Sequence, residues 1–146
     1  MAVLGIGNPL RGDDAVGVEI VRLIKGKVPR NVHLLDCETV PENFLGELEA
    51  SNPTHVLLID AADFQGEAGE ARLVSPSSIV GLTLSTHAIS LSLLAKVISD
   101  RTGADVMVLG VQPARVEFGE QLTPGLKRAS RRVARTLMRV LMKTGE

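Results

Sequence analysis

The stretch GIGNPLRGDDAVG, residues 5–17, closes an apolar run and opens a helical pattern. AVLGIG (2–7) reads as a first strand. DAVGVEIVRLIK (14–25) reads as a helix, with Val16, Ile20, Leu23 and Ile24 at helical spacing. A glycine turn between a first strand and a first helix is where many α/β proteins bind phosphate, but this one carries Asp13 and Asp14 at the helix start, where they repel an anion. The third glycine of a dinucleotide fingerprint would fall at position 10, which is Leu10, and no Gly-Lys-Ser/Thr follows. The turn offers acids where a phosphate loop offers bare N–H groups.

Working outward, short apolar runs alternate with helical patterns. VHLLD (32–36), THVLLID (54–60), EARLV (70–74) and DVMVLGV (105–111) read as strands. The third strand is nearly all apolar and so expected to be buried on both faces, whereas 70–74 is more polar and suits an edge. PENFLGELEA (41–50), HAISLSLLAKVISD (87–100) and TPGLKRASRRVARTLMRVLMK (123–143) read as helices. Their expected starts are Pro41 in a first turn, Ser85 or Thr86 as a cap, and a Thr123 cap before Pro124. This alternation predicts an α/β fold, a mainly parallel twisted sheet of about five strands with helices on both faces. No repeat or linker divides it, so residues 1–146 are expected to form one domain. Two segments, 60–86 and 111–122, stay largely irregular, and such pieces often carry function.

Composition narrows the classes. A net charge of −1 argues against a nucleic-acid partner. The one cysteine, Cys37, cannot form an internal disulfide, so a cytoplasmic location is expected. No apolar run reaches the length of a membrane span, and the apolar start has no basic leader, so no membrane insertion is expected. Trp and Tyr are absent, which leaves the core to aliphatic side chains. In the last helix Arg128, Arg132, Arg135 and Arg139 share one face, and Leu126, Val133, Leu137 and Val140 share another. A solvated basic face explains this, and so does a surface for an acidic partner.

Ligands of open parallel sheets bind beyond the carboxyl ends of the strands. Asn8, Asp14, Asp36, Cys37, Asp60, Asp63 and Gln112 fall there. His33 and His55 begin strands and so belong on the opposite rim. His87 lies in a loop that can return to the carboxyl rim, at a helix start that favours a neutral imidazole. Each residue alone has a structural reading: Asp13 as a helix cap, Asp14 as a complement to the helix dipole, Asp60 as a capped or paired acid. Together, two carboxylates and an imidazole without a lysine suit a divalent transition metal with open positions. There is no G-x-S-x-G elbow and no H-E-x-x-H, and nothing places Cys37 against His87. A non-catalytic metal- or nucleotide-binding module and a small-metabolite metallohydrolase remain competing readings.

GIGNPLRGDDAVG (5–17), VPENFLGEL (40–48), LLIDAADF (57–64), STHAISLSLL (85–94) and GVQPARVEFGEQLTP (110–124) run in order through nearly the whole chain. In this it resembles the nickel-dependent endopeptidases that mature NiFe hydrogenases, most of all the branch serving formate-hydrogenlyase and membrane-bound hydrogenases. The resemblance implies a flavodoxin-like three-layer fold. It implies Asp14, Asp60 and His87 as metal ligands, with Asp14 and Asp60 also catalytic. It further implies cleavage of a C-terminal extension from the hydrogenase large-subunit precursor after nickel insertion, the nickel being held by the substrate and serving as the recognition element. Cys37 departs from the small residue common in the family, so a thiol is expected beside the site. Asn8 is expected to orient groups at the site or stabilise the turn, and Gln112 to hydrogen-bond the bound tail.

Overall fold

The computed structural model describes residues 1–80 and 90–144. Its strands are β1 (Ala2–Ile6), β2 (His33–Glu38), β3 (His55–Ala61), β4 (Ala71–Val74) and β5 (Asp105–Val111). Its helices are α1 (Val16–Ile24), α2 (Leu45–Ser51), α3 (Leu91–Thr102) and α4 (Pro124–Thr144). The strands form one sheet in the order β2-β1-β3-β5-β4, parallel except for β4, which runs antiparallel to β5 at the edge. The polar strand at 70–74 is therefore an edge strand, as its composition indicated. The α/β architecture, a mainly parallel sheet of five strands with helices on both faces, is the one expected, with the antiparallel β4 at the edge beside β5.

Strand alternation divides the core. Val3, Leu57, Ile59 and Val111 face α1 and α4 and meet Val16, Ile20, Ile24 and Leu126. Leu4, Ile6, Leu35, Leu58 and Val108 face the other side and meet Leu48, Leu91, Leu94 and Ile98 from α2 and α3. Nine residues are too few for α1 to persist alone in water, so burial of its apolar stripe holds it.

The first helix is shorter than its periodicity suggests. Residues Gly12–Ala15 form one turn of 3-10 helix before α1 begins at Val16. Pro41–Phe44 does the same before α2. Strand β2 runs two residues past the expected 36, across an irregularity of register beside Gly5 and Ile6. The third helix begins at Leu91, with the Ser90 side chain accepting from the Leu93 N–H; Ser85, Thr86 and His87 lie outside the described residues.

The approach of α1 to the sheet depends on a missing side chain. A Cβ on Gly17 would collide with the carbonyl oxygen of Ile59 and stand 2.7 Å from that of Ile6. Helix and strands therefore meet backbone to backbone, which fixes the turn between them. Gly17→Ala is expected to cost about 3 kcal/mol, because neither carbonyl can yield without breaking strand pairing. Urea unfolding of the variant checks this, as a lowered midpoint at unchanged slope.

Candidate functional site

From β1 the chain passes through α1 to β2 on one side, and β3 flanks β1 on the other, reached from β2 across the opposite face. The carboxyl ends of β1 and β3 thus border the crevice of a topological switch point. Asp60 is the penultimate residue of β3 and is 1% exposed. Asp14 follows β1 in the 3-10 turn and is 0% exposed. That turn packs against β3, and Gly7, at φ 147°, lets the Asp14 main chain approach: a Cβ there would collide with the Asp14 carbonyl oxygen.

Backbone donors orient both carboxylates. The Asn8 N–H donates to Asp14 Oδ2 at 2.9 Å, and the Ala61 N–H donates to Asp60 Oδ1 at 2.8 Å. Asn8 Oδ1 accepts from the Leu10 N–H at 2.9 Å, closing the turn, so the side chain stabilises the loop while its backbone N–H steers Asp14. Burying two carboxylates at adjoining strand ends is costly without compensation, and a divalent cation is one group that supplies it. Among the described residues no cluster of three or more His, Cys, Asp or Glu forms a metal site. His87, the third residue of the trio, lies outside the described residues. Its counterparts are placed as expected on the far rim: His33 and His55 begin β2 and β3 and are exposed, His55 beside Thr54 and Asp105.

Asp13 does not cap the helix. Its buried carboxylate accepts from the N–H groups of Ala114 (2.9 Å), Arg115 (3.0 Å) and Thr123 (2.7 Å), and from the Thr123 hydroxyl. The Asp13 N–H returns a bond to the Arg115 carbonyl at 2.7 Å, and Gly12 and Leu10 bond to Glu120 and Gly119. The irregular segment 111–123 is thereby sewn to the first loop. The Thr123 hydroxyl is accordingly spent on Asp13 rather than on capping α4.

Gln112 is also structural rather than a free hydrogen-bonding arm. Its Oε1 accepts from the N–H groups of Phe64 (3.0 Å) and Gly66 (3.1 Å), and its Nε2 donates to Asp63 Oδ1 at 3.2 Å. It holds the segment after β3 in place. Asp63 is exposed, and the Gln65 N–H together with Gln112 holds its carboxyl below the usual range.

Cys37 does not present a thiol to the crevice. It is 1% exposed among the aliphatic residues facing α2 and α3, with its Sγ toward the Leu35 carbonyl at 3.7 Å. Burial, reinforced by Asp36, Glu47 and Glu42, pushes the thiol up to about 12. The folded value lies above the ordinary one of 9.0, so the protonated thiol stabilises the fold. That contribution is complete below about pH 9 and is lost as pH rises through about 12. Alkylation by iodoacetamide at pH 8 is expected to be at least about a hundredfold slower in the native chain than in urea, since little thiolate exists.

The acids around β2 hold one feature that sequence reading missed. Asp36 is paired with Arg22 at 2.7 Å, and Glu38 with the same guanidinium at 3.2 Å. Yet Asp36 Oδ1 and Glu42 Oε2 are buried without a hydrogen-bond partner among the described residues. Glu42 lies four residues past the end of β2, in the 3-10 turn Pro41–Phe44, and its place near that carboxyl end was the available signal.

The chain is similar in sequence and in fold to known proteins. The model of the HycI hydrogenase maturation protease family matches residues 18–140. The hydrogenase 3 maturation protease of Escherichia coli K12 is 30% identical over 128 residues, covering 87% of this chain and 81% of its own. The crystal structure of the NiFe hydrogenase maturation protease HycI from Thermococcus kodakarensis superposes with a TM-score of 0.88 at 34% identity, over 96% of this chain and 90% of that one. The hydrogenase maturating endopeptidase HybD of E. coli gives 0.81 at 25% identity, over 99% and 93%.

Proposed function

The chain belongs to the hydrogenase maturation protease family, and from that premise we propose that it removes the C-terminal extension of a NiFe hydrogenase large-subunit precursor once nickel has been inserted. The observation that carries this reading is the pair of buried carboxylates, Asp14 and Asp60, at the adjoining ends of β1 and β3. With His87 they supply three ligands to a nickel ion that the substrate already holds. Three ligands leave coordination positions for the substrate's own donors. A precursor without nickel cannot complete the site, which makes the metal the signal that insertion is finished.

Within that arrangement the protein's part is to hold and to take protons. The Asn8 and Ala61 N–H groups orient the two carboxylates. A carboxylate of the pair accepts a proton from water as the water oxygen bonds to the scissile carbonyl carbon, and returns that proton to the amine as the C–N bond breaks. The substrate-borne cation polarises the carbonyl that is attacked. No helix among the described residues is long and apolar enough to cross a membrane; on this reading the precursor is met in the cytoplasm.

The test pairs the purified chain with nickel-loaded and nickel-free precursor. The loaded form is expected to lose its tail, seen as a mass shift, at least about a hundredfold faster than the free form. Equal cleavage of the two would defeat recognition through nickel.

A further inference from the structure

On the face that α1 and α4 share, the helices cover β2, β1, β3 and the carboxyl end of β5 but leave Met107 of β5 and Leu73 of β4 exposed. Between α4 and these strands runs an apolar groove of about 500 Å³. Its floor and walls include Leu73, Met107, Leu109, Leu137 and Val140, of which Leu73 is 61%, Met107 37% and Val140 50% exposed. These side chains point where the next helix of a three-layer sheet protein would pack. A contiguous exposed apolar face of this kind marks an interaction surface.

The charge beside it is one-sided. From Lys127 to Lys143, α4 carries seven Lys and Arg residues and no acid. Arg128, Arg132, Arg135 and Arg139 recur at helical spacing along one stripe, and Arg132 itself lines the groove, where it donates to the Gly69 carbonyl at 2.9 Å. Arg132 brings the stripe to the groove, and Arg128, Arg135 and Arg139 follow on the same helical face. Its complement is an amphipathic helix with an apolar face toward β5 and acids toward α4. A second copy docked two-fold would set one cationic stripe against another.

We propose that this groove docks an acidic amphipathic helix of the large-subunit precursor. The proposal rests on the function given above and extends it from the metal to the body of the substrate. The groove runs along β5 from His55 and Asp105, at the rim opposite the candidate site, to Ala71, which pairs with Val111 near the carboxyl end. A helix seated there holds the body of the precursor against the sheet while its tail reaches the carboxyl rim.

The experiment measures affinity for nickel-loaded precursor, using the full chain and two variants whose changes lie on the surface. These are Leu73→Asp/Met107→Asp and Arg135→Glu/Arg139→Glu, with light scattering to report oligomeric state. Each pair is expected to raise Kd and KM at least about tenfold while kcat at saturation stays near wild type. Wild-type affinity is expected to fall with added salt. Unchanged Kd in both folded variants overturns the proposal, as does a wild-type dimer that the variants dissolve, which assigns the groove to a second copy. If the aspartates lower thermal stability, Leu73→Ser/Met107→Gln decides by the same Kd criterion. Binding without cleavage by wild type overturns the function alone, and Kd still judges the groove. Failure of wild type to bind the precursor overturns both.

Discussion

Asp14→Asn and Asp60→Asn are each expected to lower kcat/KM for nickel-loaded precursor by at least about a thousandfold while leaving the chain folded. Asparagine keeps the shape and one carbonyl oxygen, so the Asn8 and Ala61 N–H groups retain an acceptor. What is lost is the negative charge that draws the cation and the basicity that takes a proton from water. Asparagine keeps the buried acceptor in place, so far-UV circular dichroism should report a folded chain. His87→Ala is expected to behave like the two aspartate changes, and His55→Ala like wild type, because His55 begins β3 on the opposite rim. Folded Asn variants that process precursor at the wild-type rate would remove these residues from the mechanism.

That expectation rests on residues whose rim position could be read from the chain, and the reason is physical. Apolar runs with period near two or 3.6 place strand ends within a residue or two, and a parallel sheet sends every carboxyl end to one rim. The rim position of Asp14 and Asp60 follows from that, as does the far-rim position of His33 and His55; Asp36 and Asp63 share the carboxyl rim by the same rule, and the family resemblance separates the pair from them. What could not be read was the use made of long-range partners. Asp13 looks like a helix cap because a cap is the local role for an acid before a helix. Its real partners, Ala114, Arg115 and Thr123, lie about a hundred residues away. Gln112 likewise spends its amide on Asp63, Phe64 and Gly66, across an irregular segment that no periodicity describes. Cys37 nears a strand end, which suggests a thiol beside the site, but alternation turns its sulfur to the same side as Leu35, into the core. The antiparallel edge shows the same division: the polarity of β4 gave its place, while its direction depends on how the segment after β3 turns back along β5.

The neighbouring aspartate should separate an anchor from a ligand. Asp13→Ala is expected to destabilise the fold by about 3–5 kcal/mol, lowering the melting temperature by on the order of 10 °C. The change leaves the N–H groups of Ala114, Arg115 and Thr123 facing a gap where a carboxylate stood. Each hydrogen bond to a charged acceptor is worth about 1.5–3 kcal/mol, but the loop can relax toward water, so the sum is not realised in full. Asp13→Asn keeps one acceptor oxygen and sets an NH2 donor against N–H donors, so it rescues only part of the loss. The 111–123 segment forms one wall of the first loop, and its loosening also reaches Asp14 through the shared turn. The catalytic deficit of Asp13→Ala, measured well below its melting temperature, should nevertheless be much smaller than that of Asp14→Asn. The opposite pattern, a stable Asp13→Ala that no longer processes precursor beside an active Asp14→Asn, would exchange the roles of the two acids in the turn.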